Sequence, residues 1–144
     1  MTDLLLDTNV ISTLRAPSRQ PPAFQTWLQA VDLERCWAPA LTWMEIRVGI
    51  AKKRNTDPSQ AEVLDAWFRA IHDQFRHRTL AFDDDAATVT APLWLLRSRG
   101  TIDTLIAGVA LANRLDIVTR NTTDFADIPE LTVINPWDDT RFLS

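Results

Sequence analysis

The 144-residue chain has no tyrosine and a single cysteine, Cys36. One thiol cannot form an intrachain disulfide, so the chain is consistent with a reducing compartment. No apolar run approaches the ~20 residues that span a bilayer, and the start resembles no signal peptide because it lacks a basic region and Asp7 interrupts its apolar run. We therefore expect a cytoplasmic protein that does not associate with a membrane.

The sequence also lacks the common short motifs of nucleotide-binding, redox and hydrolase sites. It contains no Gly-x-Gly-x-x-Gly, P-loop, Cys-x-x-Cys or Gly-x-Ser-x-Gly pattern. Its two histidines, His72 and His77, are five residues apart, which does not place them on one helix face as a metal-binding pair requires. These absences leave the carboxylates as the main candidates for chemistry.

The formal net charge of −4 is unlike the basic footprint of most nucleic-acid-binding proteins. If four acids form one site, 19 − 4 = 15 acids remain against 15 Lys and Arg, and the rest of the surface is neutral. Cations that could form a basic rim around a site are Arg47, Lys52, Lys53 and Arg54 in one group and Arg97, Arg99 and Arg120 in another. The alternative for such residues is an ordinary solvated surface.

Short apolar runs alternate with longer amphipathic segments along the whole chain. The runs at residues 4–6, 35–38, 79–82, 116–119 and 131–134 predict strands, and several are apolar throughout, as in parallel strands covered on both faces. Residues 23–31, 41–53, 59–75, 83–99 and 103–114 predict helices. We predict a single α/β domain over residues 1–144, with a mainly parallel sheet.

Four acids, Asp7, Glu45, Asp103 and Asp124, each stand at the edge of an apolar run. Each also has a purely structural explanation. Asp7 could cap a helix that begins near Val10, and Thr42-x-x-Glu45 matches a capping box, which is the favoured role for Glu45 taken alone. Asp103 could be the anion at a helix N-terminus, and Asp124 could stabilise a short helical turn.

Together the four acids predict a cation site. Ligands gather at the carboxyl ends of parallel strands, and Asp7 and Asp124 both follow predicted strands. Carboxylates ~4–5 Å apart repel by about 3–4 kcal/mol per pair at an effective dielectric constant of 20, so some would take up protons unless a cation bound. Hard oxygen ligands favour Mg²⁺ or Mn²⁺, which suggests metal-assisted hydrolysis of phosphodiesters. The acids at residues 83–85 more simply cap a helix.

The ordered motifs resemble the PIN-domain family, and within it the VapC toxins of the FitB-like branch. The resemblance rests on residues 5–12, on Thr42-x-x-Glu45-Ile46-x-x-Gly49-Ile50, on Asp103-x-Leu105-Ile106-Ala107, on residues 118–125 and on Asn135-Pro136-Trp137. It implies a three-layer α/β/α fold with a mainly parallel five-stranded sheet, and a Mg²⁺-dependent endoribonuclease for which Mn²⁺ could substitute.

The resemblance also implies roles for individual residues. Asp7, Glu45, Asp103 and Asp124 fall on the family's catalytic and metal-binding acids, and Thr8, Asn9, Thr119 and Asn121 fall on its supporting polar positions. Arg47, Arg97, Arg99 and Arg120 are candidates to contact the RNA backbone. The connector before Asp103, residues 97–102, is shorter than is usual in such proteins and could displace that acid.

The implied partners are an RNA substrate, a cognate VapB-type antitoxin and a second copy of the chain. The resemblance implies that the toxin and antitoxin form a heteromeric complex that binds operator DNA through the antitoxin. Two alternatives remain open. One is a metal-free ribonuclease that uses two histidines, and the other is a DNA-bound repressor subunit that acts mainly as a binding module with little nuclease activity.

Overall fold

The computed structural model describes residues 2–96 and 101–138 of the chain. Five short strands are β1 (Leu4–Leu6), β2 (Cys36–Pro39), β3 (Thr79–Leu80), β4 (Asp116–Val118) and β5 (Val133–Ile134). The helices in the described ranges are α1 (Thr8–Thr13), α2 (Pro22–Ala30), α3 (Ala40–Thr56), α4 (Pro58–Gln74), α5 (Asp84–Leu96) and α6 (Ile102–Ala112). Short 3₁₀ turns occupy Pro17–Arg19, Leu33–Arg35 and Thr122–Asp124.

The five strands form one parallel sheet in the order β3-β2-β1-β4-β5. Leu4 of the central strand β1 is paired with Cys36 on one side and with Asp116 on the other. The chain therefore builds outward from β1 through β2 to β3, and then returns to the opposite side of β1 for β4 and β5. This reversal creates a topological switch point between β1 and β4, where parallel α/β sheets commonly bind ligands at the carboxyl ends of the strands.

Helices cover both faces of the sheet, because successive side chains of a strand point to opposite faces. In β1, Leu5 and Leu6 are both fully buried but belong to different cores. The Leu6 core includes Trp27 of α2 and Trp43 of α3, whereas the Leu5 core includes Ile106 of α6. The predicted three-layer α/β/α fold with a five-stranded parallel sheet is confirmed.

The predicted elements are present, with boundaries shifted by a few residues. The strands predicted at 79–82 and 131–134 are reduced to Thr79–Leu80 and Val133–Ile134. Helix α1 was not predicted as a separate element, because six residues are too few to show a helical period. The described part of the helix predicted at 83–99 ends at Leu96, and Arg97 and Arg99 lie outside the described residues. No helix in the described ranges is both long and apolar enough to cross a membrane.

The capping-box interpretation of Glu45 is wrong. Helix α3 begins at Ala40 and its N-cap residue is Pro39, so Thr42 already lies inside the helix. The Thr42 side chain therefore cannot cap the helix, and the carboxylate of Glu45 instead accepts a hydrogen bond from Thr8 on α1. The helix starts earlier than the polar pattern suggests because Pro39 at the end of β2 supplies the extended backbone of the cap.

Helices α5 and α6 pack closely where Gly108 faces Thr90. A Cβ atom placed at Gly108 would overlap Thr90 Oγ1, and it would lie 3.0 Å from Thr90 Cβ and 3.3 Å from the carbonyl oxygen of Ala86. Thr90 cannot move away freely, since its buried hydroxyl donates to that same carbonyl at 2.6 Å. The absence of a side chain at Gly108 thus sets the distance between the two helices.

We expect Gly108→Ala to lower the free energy of unfolding relative to Gly49→Ala, by about 1–3 kcal/mol, the usual cost of overpacking. Gly49 is the matched control, because it also lies inside a helix and its added Cβ would meet nothing within 4 Å. Both variants gain the same helix propensity. Urea unfolding of the two proteins measures the difference, and equal stabilities would contradict the close contact.

Candidate active site at the carboxyl edge of the sheet

Asp7 lies at the switch point, directly after β1 and beside the end of β4. Its backbone N–H donates to the carbonyl oxygen of Val118 at 2.9 Å, which continues the strand pairing by one residue. The side chain is almost fully buried, with 3% of the residue exposed. Its Oδ2 accepts from Thr119 Oγ1 at 2.8 Å and from Asn9 Nδ2 at 3.1 Å, and its Oδ1 accepts from the backbone N–H of Thr8 at 2.8 Å.

The environment of Asp7 favours the protonated carboxyl group. Burial raises the pKa of Asp7 above its ordinary value, and the negative charge of Glu45 acts in the same direction. The hydrogen bonds from Thr119, Thr8 and Asn9 oppose this shift but do not cancel it. The carboxylate is thus surrounded by neutral donors, and no Lys or Arg in the described ranges forms an ion pair with it.

Hydroxyl groups connect Glu45 of α3 to α1. Thr8 Oγ1 donates to Glu45 Oε1 at 2.6 Å and lies 2.9 Å from Thr42 Oγ1. Since Thr8 has one hydroxyl proton and donates it to the carboxylate, Thr42 must donate to Thr8. Thr42 is fully buried, so this chain of hydrogen bonds connects the Glu45 side chain to the protein interior and restricts its position.

Asn9 and Thr119 join the ends of β1 and β4. The amide of Asn9 donates to Asp7 and to Thr119 Oγ1, while its carbonyl oxygen accepts from the backbone N–H of Arg120 at 3.1 Å. Asn121 contacts Thr119 Oγ1 through its backbone N–H, at 3.0 Å, and its side chain is not part of this contact. Of the four predicted supporting residues, Thr8, Asn9 and Thr119 therefore contact the acids directly, whereas Asn121 supports Thr119 through its main chain.

Asp103 lies in the first turn of α6 and is half-buried. Helix α6 leads through a short turn at Arg114 directly into β4, so it runs antiparallel to the strands. Its 11 residues extend ~16 Å, whereas the three residues of β4 extend ~10 Å. The N-terminal turn of α6 is therefore at the same edge of the sheet as Asp7.

Asp124 reaches this edge through a turn that follows β4. It is the last residue of the 3₁₀ turn Thr122–Asp124, in which its backbone N–H donates to the carbonyl oxygen of Asn121 at 3.1 Å. The next residue, Phe125, is fully buried in the core beneath α6 and anchors the turn. The Asp124 carboxylate makes no hydrogen bond to any other described residue.

Residues 4–131 match the family model of the PIN domain. The chain belongs to the PIN-domain family. It is 35% identical to the plasmid stability protein StbB of Pseudomonas syringae pv. tomato over 94% of this chain and 99% of that protein. It is 34% identical to the VapC ribonuclease Y4jK of Sinorhizobium fredii over 94% of this chain and 98% of that protein.

Solved structures of relatives show the same architecture as this PIN domain. The crystal structure of FitAcB from Neisseria gonorrhoeae matches with a TM-score of 0.71 and 31% identity over 94% of this chain and 99% of that chain. A structure of FitAB bound to an IR36 DNA fragment also matches with a TM-score of 0.71, at 30% identity over 93% and 95% of the two chains. The fold predicted from the sequence is the fold of these proteins.

The side chains of this PIN domain fit a divalent cation at Asp7 and Glu45, but they do not form a closed cage around one. Within residues 2–96 and 101–138, no three Asp, Glu, His or Cys side chains are grouped closely enough to hold a metal ion. One observation supports the fit: Asp7 Oδ1 accepts one hydrogen bond and so keeps a free lone pair.

Among the described residues, the arginines of the predicted basic rim make separate contacts and do not form one continuous surface around these acids. The guanidinium of Arg47 lies over the ring of Phe68, 4.8 Å from its centroid, on a different face of α3 from Glu45. Arg54 pairs with Glu62. The guanidinium of Arg120 lies over Trp137, 5.2 Å from the ring centroid, while the backbone N–H of Arg120 donates to Asn9. Contact of Arg47 and Arg120 with RNA stays a prediction, and Arg97 and Arg99 lie outside the described residues.

Sequence reasoning did not identify Thr42, Arg15 and Arg19 as members of the site region. Thr42 was assigned to a capping box, although its hydroxyl supports Thr8. Arg15 and Arg19 follow α1 and line a groove that starts at Thr8 and Glu45. The four-residue spacing of the two arginines is visible in the sequence, but it does not show that they lie beside the site unless the position of α1 is known.

We expect the stability of the protein without divalent cations to depend on pH through Asp7. The pKa of Asp7 in the folded protein is raised above the ordinary value of 3.8. The stability that proton binding at Asp7 contributes is therefore complete below pH 3.8 and is lost as the pH rises through the folded pKa. The free energy of unfolding of Asp7→Asn minus that of the wild type should therefore increase as the pH rises through this range. Urea unfolding in EDTA measures it, with the exposed Asp85→Asn as control. A pH-independent difference between Asp7→Asn and wild type would contradict the burial argument.

Proposed function

We propose that this PIN-domain protein is a metal-dependent endoribonuclease that acts as the toxin of a toxin–antitoxin pair. The observation that carries the proposal is the buried Asp7 carboxylate at the switch point, held by Thr8, Asn9 and Thr119 and coupled to Glu45. Burial of an acid costs stability, so a buried acid with a shifted pKa at such a position indicates a functional site. Relatives of this chain are named VapC ribonuclease and toxin FitB, which supports the reaction class and the biological role.

Asp7 and Asp103 would be the principal metal ligands, and Glu45 and Asp124 would complete the acidic site directly or through water. The ion would be Mg²⁺, with Mn²⁺ as a substitute, since both prefer carboxylate oxygens. When bound, such an ion lowers the pKa of a water molecule and offsets the charge that develops on the scissile phosphate.

The residues of the chain supply positioning. Thr119 and Asn9 hold Asp7 Oδ2, and one lone pair of Oδ1 stays unused by the hydrogen bond from Thr8. Thr8, supported by Thr42, holds one oxygen of Glu45 and leaves its other oxygen available as an acceptor. Each carboxylate is thus oriented before substrate binds, and this reduces the entropy lost in the reaction.

The proposed partner is a VapB-type antitoxin. Solved structures similar to this chain include a toxin–antitoxin complex from Klebsiella pneumoniae and FitAB bound to a DNA fragment. By analogy, this chain would form a heteromeric complex that reaches operator DNA through the antitoxin, and its homodimer would be the unit that assembles. Release from the antitoxin would expose the acidic site to RNA.

An RNA cleavage assay of the antitoxin-free protein tests the enzymatic proposal. We expect cleavage with Mg²⁺, loss of cleavage in EDTA, and loss of cleavage in Asp7→Asn, because the variant removes the buried negative charge that the ion needs. Asp85→Asn, which changes an exposed carboxylate on α5, is the matched control and should keep wild-type activity. Unchanged cleavage in EDTA and in Asp7→Asn would refute the metal site.

The products distinguish this mechanism from one that uses histidines. Hydrolysis by an activated water should leave a 5′-phosphate and should survive replacement of both His72 and His77. A histidine mechanism should instead produce a 2′,3′-cyclic phosphate without metal. His72 stacks on Phe68 and meets Trp43 edge to face, which places it in an aromatic cluster and not beside Asp7.

The same assay decides whether the chain is mainly a repressor subunit. In that case the protein would bind its antitoxin and operator DNA but would leave RNA intact at every concentration of Mg²⁺. The observation that favours a repressor subunit is the DNA fragment bound in the FitAB structure.

We expect Thr8→Val to lower cleavage by about 10–100-fold, the usual effect of removing a group that orients a metal ligand. The variant takes the donor from Glu45 and the acceptor from Thr42 while nearly keeping the size of the side chain. The dependence of the rate on Mg²⁺ concentration should shift to higher concentrations. Thr8→Ser keeps the hydroxyl and should restore most of the activity, and a failure of that rescue would show that the methyl group of Thr8 matters more.

A further inference from the structure

A groove of about 580 Å³ leads away from the candidate active site between α1 and the α3–α4 pair. Thr8 and Glu45 line one end of it, so the groove opens directly onto the hydrogen-bonded pair described above. On α3 it runs past Gly49 to Lys53, which is eight residues beyond Glu45 and therefore ~12 Å further along the helix. We call this surface the α1–α3 groove.

Three cations, Arg15, Arg19 and Lys53, line the α1–α3 groove, and all three are exposed. In the described part of the chain none of them forms an ion pair, whereas Arg35, Arg54, Arg69 and Arg76 all do. Glu45 is the one acid among the residues that line the groove. In a protein with a net charge of −4, this is a local concentration of unpaired positive charge that faces a common space.

The floor of the groove is apolar and includes an aromatic side chain. Ile46 and Ile50 of α3 are buried beneath it, and Leu64 and Trp67 of α4 are half-buried along its side. Proteins that bind single-stranded nucleic acid combine such elements, with cations along the backbone and apolar or aromatic surfaces against the bases. Base–aromatic contacts contribute about 1–3 kcal/mol each in these proteins.

We propose that the α1–α3 groove binds the single-stranded RNA that extends from the scissile phosphate, with Arg15, Arg19 and Lys53 contacting its phosphates. The proposal rests on the ribonuclease function proposed above. An RNA chain is longer than the one phosphodiester that reacts, so it must leave the acidic site along an adjoining surface. The groove begins at Glu45, and in the described ranges none of its cations forms an ion pair with Asp7 or Glu45, so they remain available to the RNA backbone.

Two lysines next to each other in the sequence provide a matched test. Lys53 lines the groove, whereas Lys52 is equally exposed on the same helix, points ~100° away from it and does not line the groove. Lys53→Glu and Lys52→Glu have the same net charge, so any difference between them is local. A second test is the double variant Arg15→Ala/Arg19→Ala. Circular dichroism checks that each variant is folded.

The probe is a short, fluorescently labelled single-stranded RNA, and its anisotropy in EDTA reports binding without cleavage. We expect Lys53→Glu to bind at least ~3-fold more weakly than Lys52→Glu at low salt. The slope of log affinity against log salt concentration should fall by about 0.7 for each phosphate contact removed. For Arg15→Ala/Arg19→Ala, the decrease in the slope should be about twice as large, because two contacts are removed. Cleavage of the same RNA with Mg²⁺ is measured separately.

The outcomes separate this proposal from the proposed function. Equal RNA affinity and salt dependence in Lys53→Glu and Lys52→Glu would overturn the groove assignment even if the wild type cleaves RNA. Poly-glutamate, labelled in the same way, is a second probe. Weaker poly-glutamate binding by Lys53→Glu than by Lys52→Glu, with equal RNA binding, would also overturn the assignment and would identify the groove as a site for an acidic peptide. Groove-dependent RNA binding without cleavage would support the groove while refuting the nuclease.

Discussion

The position of one buried carboxylate determines how the rest of this molecule is arranged. Asp7 closes β1 at the switch point, where β4 returns to the opposite side of the central strand. Its N–H extends the pairing with β4, and its side chain is held by Thr119 from that same strand. An ionised group so deeply buried is unfavourable by itself, and here neutral hydrogen-bond donors reduce that cost without cancelling the rise in the pKa of Asp7.

Both carboxylate oxygens of Asp7 accept hydrogen bonds that organise the surrounding backbone. Oδ1 accepts the N–H of Thr8 and caps helix α1, as the structural interpretation of the sequence predicts. Oδ2 is held by Thr119 and Asn9, which join the two strands. Because Oδ1 keeps one lone pair beside its capping hydrogen bond, the capping role is compatible with the metal binding proposed above. The same short helix also presents Thr8 to Glu45, so its formation orients two acids at once.

The architecture and the identities of the acids could be predicted from the sequence, because both depend on local patterns. Apolar runs of strand length alternate with amphipathic segments, and each acid stands where a strand or helix begins or ends. The prediction failed where a contact joins distant segments. The pattern Thr42-x-x-Glu45 suggests a capping box, yet both side chains interact with Thr8, more than thirty residues earlier. A charge pattern likewise could not show that Arg47 lies over Phe68 while Lys53 lines a groove.

By itself the sequence determined the alternation of strands and helices and the parallel sheet, and it suggested which acids could bind a cation, because hydrophobic periodicity and residue chemistry are properties of neighbouring positions. Only the tertiary structure decided which of these residues meet. It joined Asp7 to Thr119 across 112 positions and Glu45 to Thr8 across 37, and it placed Arg15, Arg19 and Lys53 around one groove. The physical reason is the order of the strands: the crossing from β3 to β4 brings the ends of β1 and β4 together, and no local pattern encodes that crossing.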